Sequence, residues 1–134
     1  MEDICQELIN RAKEARLKAY APYSKFQVGS AVLTENDSIF TGCNIENVSL
    51  GLSICAERVA IFKAISSGCK SIKAIAIICD TEEPCSPCGA CRQVLVEFSP
   101  EMEVIMVNHQ NKIKIAKAKE LLPGFFKGRA IEHR

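Results

Sequence analysis

Three cysteines in two short stretches constrain how this chain can fold. Cys55 stands in the first stretch, and Cys88 and Cys91 form a CxxC pair in the second. A CxxC pair and a distant third cysteine can occupy three corners of a tetrahedral zinc site, and a site with only three protein ligands keeps its fourth position for water. We therefore expect the fold to bring the two stretches together around a catalytic zinc ion.

Glu57 places a carboxylate close to this expected metal site. It follows Cys55 by two residues, too near along the chain to bind the metal through the same turn. It is near enough to reach a water molecule held there, and a positioned carboxylate can move protons during a reaction. The sequence therefore predicts Glu57 as the catalytic acid and base.

A closed site with four sulfurs is the alternative interpretation. Cys85 precedes Cys88 by the same spacing that separates Cys88 from Cys91, so four cysteines could form a structural zinc site or hold an iron–sulfur cluster. The protein would then be a non-enzymatic metal module. Neither kind of closed site explains the glutamate beside Cys55, and the open site is therefore favoured.

Length and charge limit the classes of partner. A chain of 134 residues fits a single domain, residues 1–134, with a modest core. The 17 basic and 16 acidic side chains leave a formal net charge of +1, which does not favour binding to nucleic acid. A small neutral substrate fits this balance better than a polynucleotide.

The start of the chain and its cysteines indicate the compartment. Acidic residues stand where a signal peptide needs a basic start, and no stretch approaches membrane-spanning length, so we expect a cytoplasmic protein without a membrane partner. In a reducing compartment, cysteines are typical of metal ligation or buried thiols. Cys5, Cys43, Cys69 and Cys79 lie in apolar segments and are predicted to fill the core.

Hydrophobic periodicity predicts an α/β fold of three layers, α/β/α, around a mixed five-stranded sheet. The predicted order is a helix at 2–19, a hairpin of strands at 26–34 and 39–45, a helix at 55–67, a strand at 72–79, a helix at 88–98, strands at 104–107 and 113–115, and a short helix at 117–122. The strand–helix–strand unit implies a parallel pair, and the short link at 108–111 implies an antiparallel return.

Taken together, the motifs resemble those of the small, three-cysteine cytidine deaminases. The resemblance starts near Tyr20 and runs through CNIEN (residues 43–47), ICAER (54–58) and SPCGACRQ (86–93) to LLPG (121–124). It implies a cytidine-deaminase-like fold and zinc-dependent hydrolysis of cytidine, and of deoxycytidine, to the uridine counterpart and ammonia, as in pyrimidine salvage. It also implies a homotetramer whose pockets are completed by neighbouring subunits.

The resemblance further implies roles for residues around the metal. Glu57 would transfer protons from water to the ring nitrogen and then to the departing amine. Arg58 would offset the negative charge of three thiolates, and Arg92, which follows Cys91 directly, is a weaker candidate for the same role. The implied substrate-binding residues are Asn44 and Glu46 at a ribose hydroxyl, Phe26 and Ala56 against the base or sugar, and Phe126, next to Phe125, over the base of a neighbouring subunit.

The chain departs from the resembled pattern in two places. Leu50 stands where many relatives carry a tyrosine, and Lys127-Gly128-Arg129 replaces an acidic continuation. Both departures bear on nucleoside choice. The alternative enzymes are a deaminase of a cytosine-containing aminonucleoside antibiotic, against which the ribose-binding pair argues, and a polynucleotide-editing deaminase, against which the near-neutral charge argues.

Overall fold

The computed structural model describes residues 2–126 and residue 128. Lys127, Arg129 and His133 lie outside this range, so the predicted effect of the 127–129 segment stays a prediction. Along the described chain the elements are α1 (Glu2–Arg16), β1 (Val28–Thr34), β2 (Ile39–Cys43), α2 (Ala56–Ser66), β3 (Ile72–Cys79), α3 (Gly89–Phe98), β4 (Glu103–Asn108), β5 (Ile113–Lys117) and α4 (Ala118–Leu121), with a 3₁₀ turn at Leu50–Leu52.

The predicted order of elements is confirmed, and the differences occur at their ends. Cys55 and Cys88 precede α2 and α3 as N-cap residues with extended backbone, so each helix begins one residue later than predicted. The first helix ends at Arg16 instead of Ala19. The residues after Arg16 form a tighter turn, in which the amide of Ala19 bonds the carbonyl of Arg16 three residues back.

The sheet has the predicted mixed topology. Its strand order is β2-β1-β3-β4-β5. Strands β3 and β4 pair in parallel, and the other neighbouring pairs are antiparallel. The crossover through α3 joins the parallel pair, so the stretch that contains Cys88 and Cys91 emerges at the carboxyl end of β3.

Both faces of the sheet are covered, which confirms the three-layer architecture. The face toward α1 buries one apolar cluster, and the face toward α2 and α3 buries the other. Strand β3 lies between them and is buried at every position except Lys73, as its nearly continuous apolar run predicts. No helix in residues 2–126 is both long enough and apolar enough to cross a membrane.

Two glycines allow the helices to approach the sheet closely. A Cβ atom at Gly42 of β2 would lie 2.6 Å from the backbone of Ala56 and of Ala60 in α2. A Cβ atom at Gly29 of β1 would lie 2.0 Å from the carbonyl of Ala12 in α1. Such distances are far inside van der Waals contact, so only glycine lets these backbones pack together.

The prediction that Cys79 fills the core is confirmed, but the expectation of a thiol there is wrong. Cys79 is buried at the end of β3, as expected, but it is not a free thiol, because its sulfur is bonded to Cys85 across a Cα–Cα distance of 5.6 Å. The amide of Cys85 also bonds the carbonyl of Val107, which holds the loop against β4. Cys5, Cys43 and Cys69 are free and only half-buried.

Candidate active site

The three predicted metal ligands converge where two helices begin. Cys55 caps α2, Cys88 caps α3, and Cys91 lies in the first turn of α3. Their sulfurs all lie within 4.8 Å of one another, and those of Cys55 and Cys88 are 3.9 Å apart. Two sulfurs bound to tetrahedral zinc at about 2.3 Å lie about 3.8 Å apart. The donor set and its spacing therefore fit a zinc ion.

The electrostatics of this cluster favour thiolate formation at Cys55. A hydrogen bond with Cys91 is the main cause that lowers the pKa of Cys55 to about 5, and Arg58 adds to it through a hydrogen bond and its charge. The same pairing with Cys55, together with burial, raises the pKa of Cys91. The cluster therefore releases its first proton easily, as a ligand set for a divalent cation requires.

Glu57 lies beside the cluster and is almost fully buried. It occupies the first turn of α2 with 5% of its surface exposed. Burial is the main cause that raises its carboxyl pKa to about 7, and the nearby charge of Cys55 raises it further. A carboxyl group with that pKa can both accept and donate a proton near neutral pH, as a general acid–base residue must.

The two arginines that follow ligands make different contacts. Nη2 of Arg58 donates to the sulfur of Cys55 at 3.4 Å, as the charge-compensating role requires. The guanidinium of Arg92 instead donates to the carbonyls of Pro87 and Leu121 and to the hydroxyl of Ser86. Arg92 therefore stabilises the loop before α3 and does not take the charge-compensating role at a ligand sulfur.

A cavity of about 420 Å³ opens next to the cysteines. Its walls combine both predicted groups of residues: Phe26, Asn44 and Glu46 with Cys55, Ala56, Glu57 and Cys88. A larger open groove of about 1140 Å³ lies at the amino ends of β3 and β4, and no predicted site residue lines it. Chemistry rather than size therefore identifies the smaller cavity as the candidate active site.

Hydrogen bonds to their own chain hold the predicted ribose-binding pair in place. Asn44 accepts from the amide of Val28 at 2.8 Å and donates to the carbonyl of Phe26 at 2.7 Å. Glu46 accepts from the amides of Tyr23 and Ser24 and from the Ser24 hydroxyl. Sequence reasoning did not single out Ser24, and only its position just before Phe26 could have drawn attention to it.

Comparison with known proteins assigns the fold and site to a family. A sequence model of the cytidine and deoxycytidylate deaminase zinc-binding region matches residues 3–108, which include all three cysteines and Glu57. The chain belongs to this deaminase family. It is 51% identical over 122 residues to a cytidine deaminase of Sporosarcina psychrophila, with 90% of each chain covered. A cytidine deaminase of Halalkalibacterium halodurans is also 51% identical, over 90% of this chain and 92% of its own.

The solved structures of the deaminase family support the same assignment. The crystal structure of cytidine deaminase from Burkholderia pseudomallei superposes with a TM-score of 0.89 at 48% sequence identity. The match covers 90% of this chain and 98% of that one. The deaminase fold predicted from the sequence motifs is therefore confirmed, and the cysteine cluster lies in the region that the family uses to bind zinc.

The disulfide removes Cys85 from the candidate metal ligands. Cys85 lines the cavity, but its sulfur is bonded to Cys79, so it is not a fourth thiolate beside Cys55. Within the described residues, the group of cysteines that could hold a metal has three members. Three thiols fit an open metal site, and this arrangement disfavours the closed four-sulfur module.

The aromatic residues near the carboxyl terminus lie away from the cavity of their own chain. Phe125 packs against the core cluster that α2 and α3 cover. Phe126 is 77% exposed and does not line the cavity. Leu50 is also exposed and stands at the cavity rim. Within one chain, therefore, Phe126 is the predicted site residue that the deaminase fold does not bring to the others.

Proposed function

We propose that this protein is a zinc-dependent deaminase that hydrolyses cytidine, and deoxycytidine, to the uridine counterpart and ammonia. The observation that carries the proposal is the buried Glu57 beside three converged thiols, in a cavity that Asn44 and Glu46 also line. Relatives about half identical over most of the chain bear the name cytidine deaminase.

Cys55, Cys88 and Cys91 would hold the zinc ion. Zinc in such a site lowers the pKa of a water molecule and so supplies a nucleophile at neutral pH. Three thiolates carry more negative charge than a divalent ion neutralises, which opposes that effect. The hydrogen bond from Arg58 to Cys55 withdraws charge from one sulfur and so counters it.

Glu57 would transfer the protons of the reaction. It takes one proton from the attacking water and gives it to the ring nitrogen next to the amine-bearing carbon. It then passes the second proton to the amine, which leaves as ammonia while the ring carbonyl forms. A single residue serves as base and then acid, and a pKa near 7 suits both steps.

Asn44 and Glu46 would recognise the sugar. After its contacts with the chain, the Asn44 amide keeps one N–H donor, and the Glu46 carboxylate keeps one of its four acceptor positions. One donor and one acceptor together match a single hydroxyl group. A site built this way discriminates against substrates that lack the hydroxyl. Phe26 and Ala56 line the same cavity and would contact the base or sugar.

We further propose that the chain is one domain that assembles as a homotetramer and works in the cytoplasm. Exposed apolar side chains support the assembly: Val48, Leu50 and Leu52 are each more than 70% exposed, and Leu50 also lines the cavity. Exposed apolar patches of this kind mark interfaces. The exposed Phe126 would reach the cavity of a neighbouring subunit, and chromatography with light scattering would measure the subunit number.

Replacement of Glu57 by glutamine tests the catalytic proposal. Glutamine has the same shape but cannot accept and donate the protons, so we expect turnover of cytidine to fall at least about 1000-fold. Zinc content should stay at the wild-type level because Glu57 is not a ligand. The loss of cytidine absorbance on protein of known zinc content measures turnover.

The matched control is the same exchange at Glu35, which is exposed in the β1–β2 turn. Glu35→Gln should retain wild-type turnover. Full activity of Glu57→Gln would contradict the role of Glu57. A zinc-loaded wild-type protein that is inert toward both pyrimidine nucleosides would contradict the proposed substrate class.

A further inference from the structure

The Ser24 hydroxyl lies between two residues of the substrate-binding wall. It donates a hydrogen bond to Oε2 of Glu46 and accepts one from the amide of Phe26 at 3.0 Å. Lys25, between them in sequence, has a φ of 62°, a left-handed conformation in which the chain turns back on itself. Ser24 therefore links the Glu46 carboxylate to the backbone of Phe26. All three residues line the same cavity.

Only one of the three donors that hold Glu46 comes from a side chain. The amides of Tyr23 and Ser24 both bond Oε1, at 3.1 and 3.0 Å, and any residue except proline at those positions would supply them. Within residues 2–126, the donor to Oε2 is the Ser24 hydroxyl. Without this hydroxyl, Oε2 would lose its donor from the described residues. Both acceptor positions on Oε2 would then be open, and the two amides, which bond Oε1, could not select one of them for a ligand.

The acceptor position that remains on Oε2 matters for recognition because it is the one position left for a ligand after the contacts of the described residues. A carboxylate offers about four acceptor positions, and three of them are occupied here. A hydroxyl group of a ligand then meets one acceptor with a fixed direction. Hydrogen bonds from Ser24 are also the main cause that lowers the pKa of Glu46, so the group is an anionic acceptor at neutral pH.

We propose that Ser24 is a positioning residue for substrate specificity, which fixes the Glu46 carboxylate so that the cavity selects ligands with a sugar hydroxyl. This inference rests on the proposed nucleoside deaminase function. Ser24 itself need not touch the substrate. Its loss should therefore weaken binding of hydroxylated ligands while leaving the chemistry at Glu57 unchanged.

The experiment compares Ser24→Ala with Ser24→Thr, which keeps the hydroxyl, in zinc-loaded protein. Steady-state kinetics use cytidine, and competitive inhibition uses uridine and dideoxyuridine, which lacks both ring hydroxyls of the sugar. We expect Ser24→Ala to raise the KM for cytidine and the inhibition constant of uridine about tenfold, as loss of one well-placed hydrogen bond to a charged group predicts. The kcat and the inhibition constant of dideoxyuridine should change less than about twofold, by the same argument.

Ser24→Thr should restore the wild-type ratio of the two inhibition constants. The control is Ser66→Ala, which removes an exposed hydroxyl that donates to the carbonyl of Lys63 within α2. It should leave every constant at the wild-type value. If Ser24→Ala does not fold, Ser24→Cys replaces it. Because a thiol is a weaker donor than a hydroxyl, the inhibition constant of uridine should rise by less than about tenfold, and that of dideoxyuridine should not rise.

Each outcome decides between the inference and its alternatives. An equal rise of both inhibition constants, or no rise in either, would overturn the positioning role. A Ser24→Cys protein with the wild-type ratio would overturn it as well. If the wild-type protein does not deaminate cytidine, the proposed function fails. If it does and prefers hydroxylated ligands, but Ser24→Ala keeps that preference, the inference about Ser24 fails alone.

Discussion

Two carboxylates in the same cavity have pKa values that are shifted in opposite directions. Burial raises that of Glu57 to about 7, whereas hydrogen bonds from Ser24 lower that of Glu46. The first can exchange protons near neutral pH, and the second stays ionised and accepts hydrogen bonds. The environment of each residue, rather than its type, therefore fits Glu57 to the proposed catalytic role and Glu46 to the proposed binding role.

Ser30 in β1 provides a residue-scale prediction about stability. Its side chain is fully buried, and its hydroxyl has no hydrogen-bond partner among the described residues. Because a buried, unpaired hydroxyl costs about 1–3 kcal/mol, Ser30→Ala should raise the free energy of unfolding by about 1 kcal/mol. That gain corresponds to an increase of about 3 °C in the melting temperature of the zinc-loaded protein.

Ser99→Ala is the matched control with the opposite sign. The Ser99 hydroxyl is also buried, but it donates to the carbonyl of Phe98 and accepts from the amide of Ile72. Its removal leaves a buried amide unpaired, so the melting temperature should fall. A lower melting temperature for Ser30→Ala than for the wild type would contradict the prediction.

At the scale of elements, the site depends on where two helices start. The start of α2 is set by its close packing on β2, and the start of α3 follows the crossover that leaves the carboxyl end of β3. The positive end of α2 lies at its N-cap residue Cys55, which favours thiolate over thiol at that residue. The ligands of the candidate metal site are therefore placed by helix–sheet packing.

Gly42→Ala tests this dependence on packing. The added Cβ would lie 2.6 Å from the backbone of α2, so the helix must shift away from the sheet. We expect a loss of stability of about 2–3 kcal/mol, typical of overpacking, and a weaker affinity for zinc because Cys55 moves with α2. Denaturant unfolding and zinc titration measure the two effects.

Gly51→Ala is the control, because a Cβ at that position has no neighbour within 4 Å. It should leave stability and zinc affinity within experimental error of the wild type. If Gly42→Ala unfolds at the wild-type denaturant concentration, the close packing of α2 on β2 does not determine the position of the site.

For the whole molecule, five of the eight cysteines form two separate systems. Cys79 and Cys85 connect the end of β3 to the loop that follows it, and Cys55, Cys88 and Cys91 connect the starts of α2 and α3. A metal ion at the second cluster would join segments that are 33 residues apart in the chain. Metal binding to the folded state alone therefore stabilises the whole fold.

Two cysteine variants distinguish these systems. Cys88→Ser should lose bound zinc, and its melting temperature should fall to that of wild-type protein stripped with a chelator. Cys85→Ser should keep the zinc content of the wild type, because Cys85 is not among the converged thiols. Metal analysis and thermal unfolding measure both effects. Loss of zinc in Cys85→Ser would support the four-sulfur alternative.

Much of the fold could be predicted because local patterns specify it. The apolar run of β3 predicted a strand buried on both faces, and the short link after β4 predicted the antiparallel return of β5; both predictions are confirmed. The CxxC spacing and the position of Cys55 also predicted which sulfurs would converge. The functional roles assigned to these residues stay predictions that the variants above test.

The sequence by itself determined the order of elements, the mixed sheet and the family, because periodicity and motif spacing are local properties of the chain. Only the tertiary structure decided that Cys79 bonds Cys85, that Arg92 braces a loop, and that Ser24 holds Glu46. Each of these contacts joins a loop to a distant or irregular segment. Their partners depend on how the loops pack against the sheet, and no repeating pattern in the sequence encodes that packing.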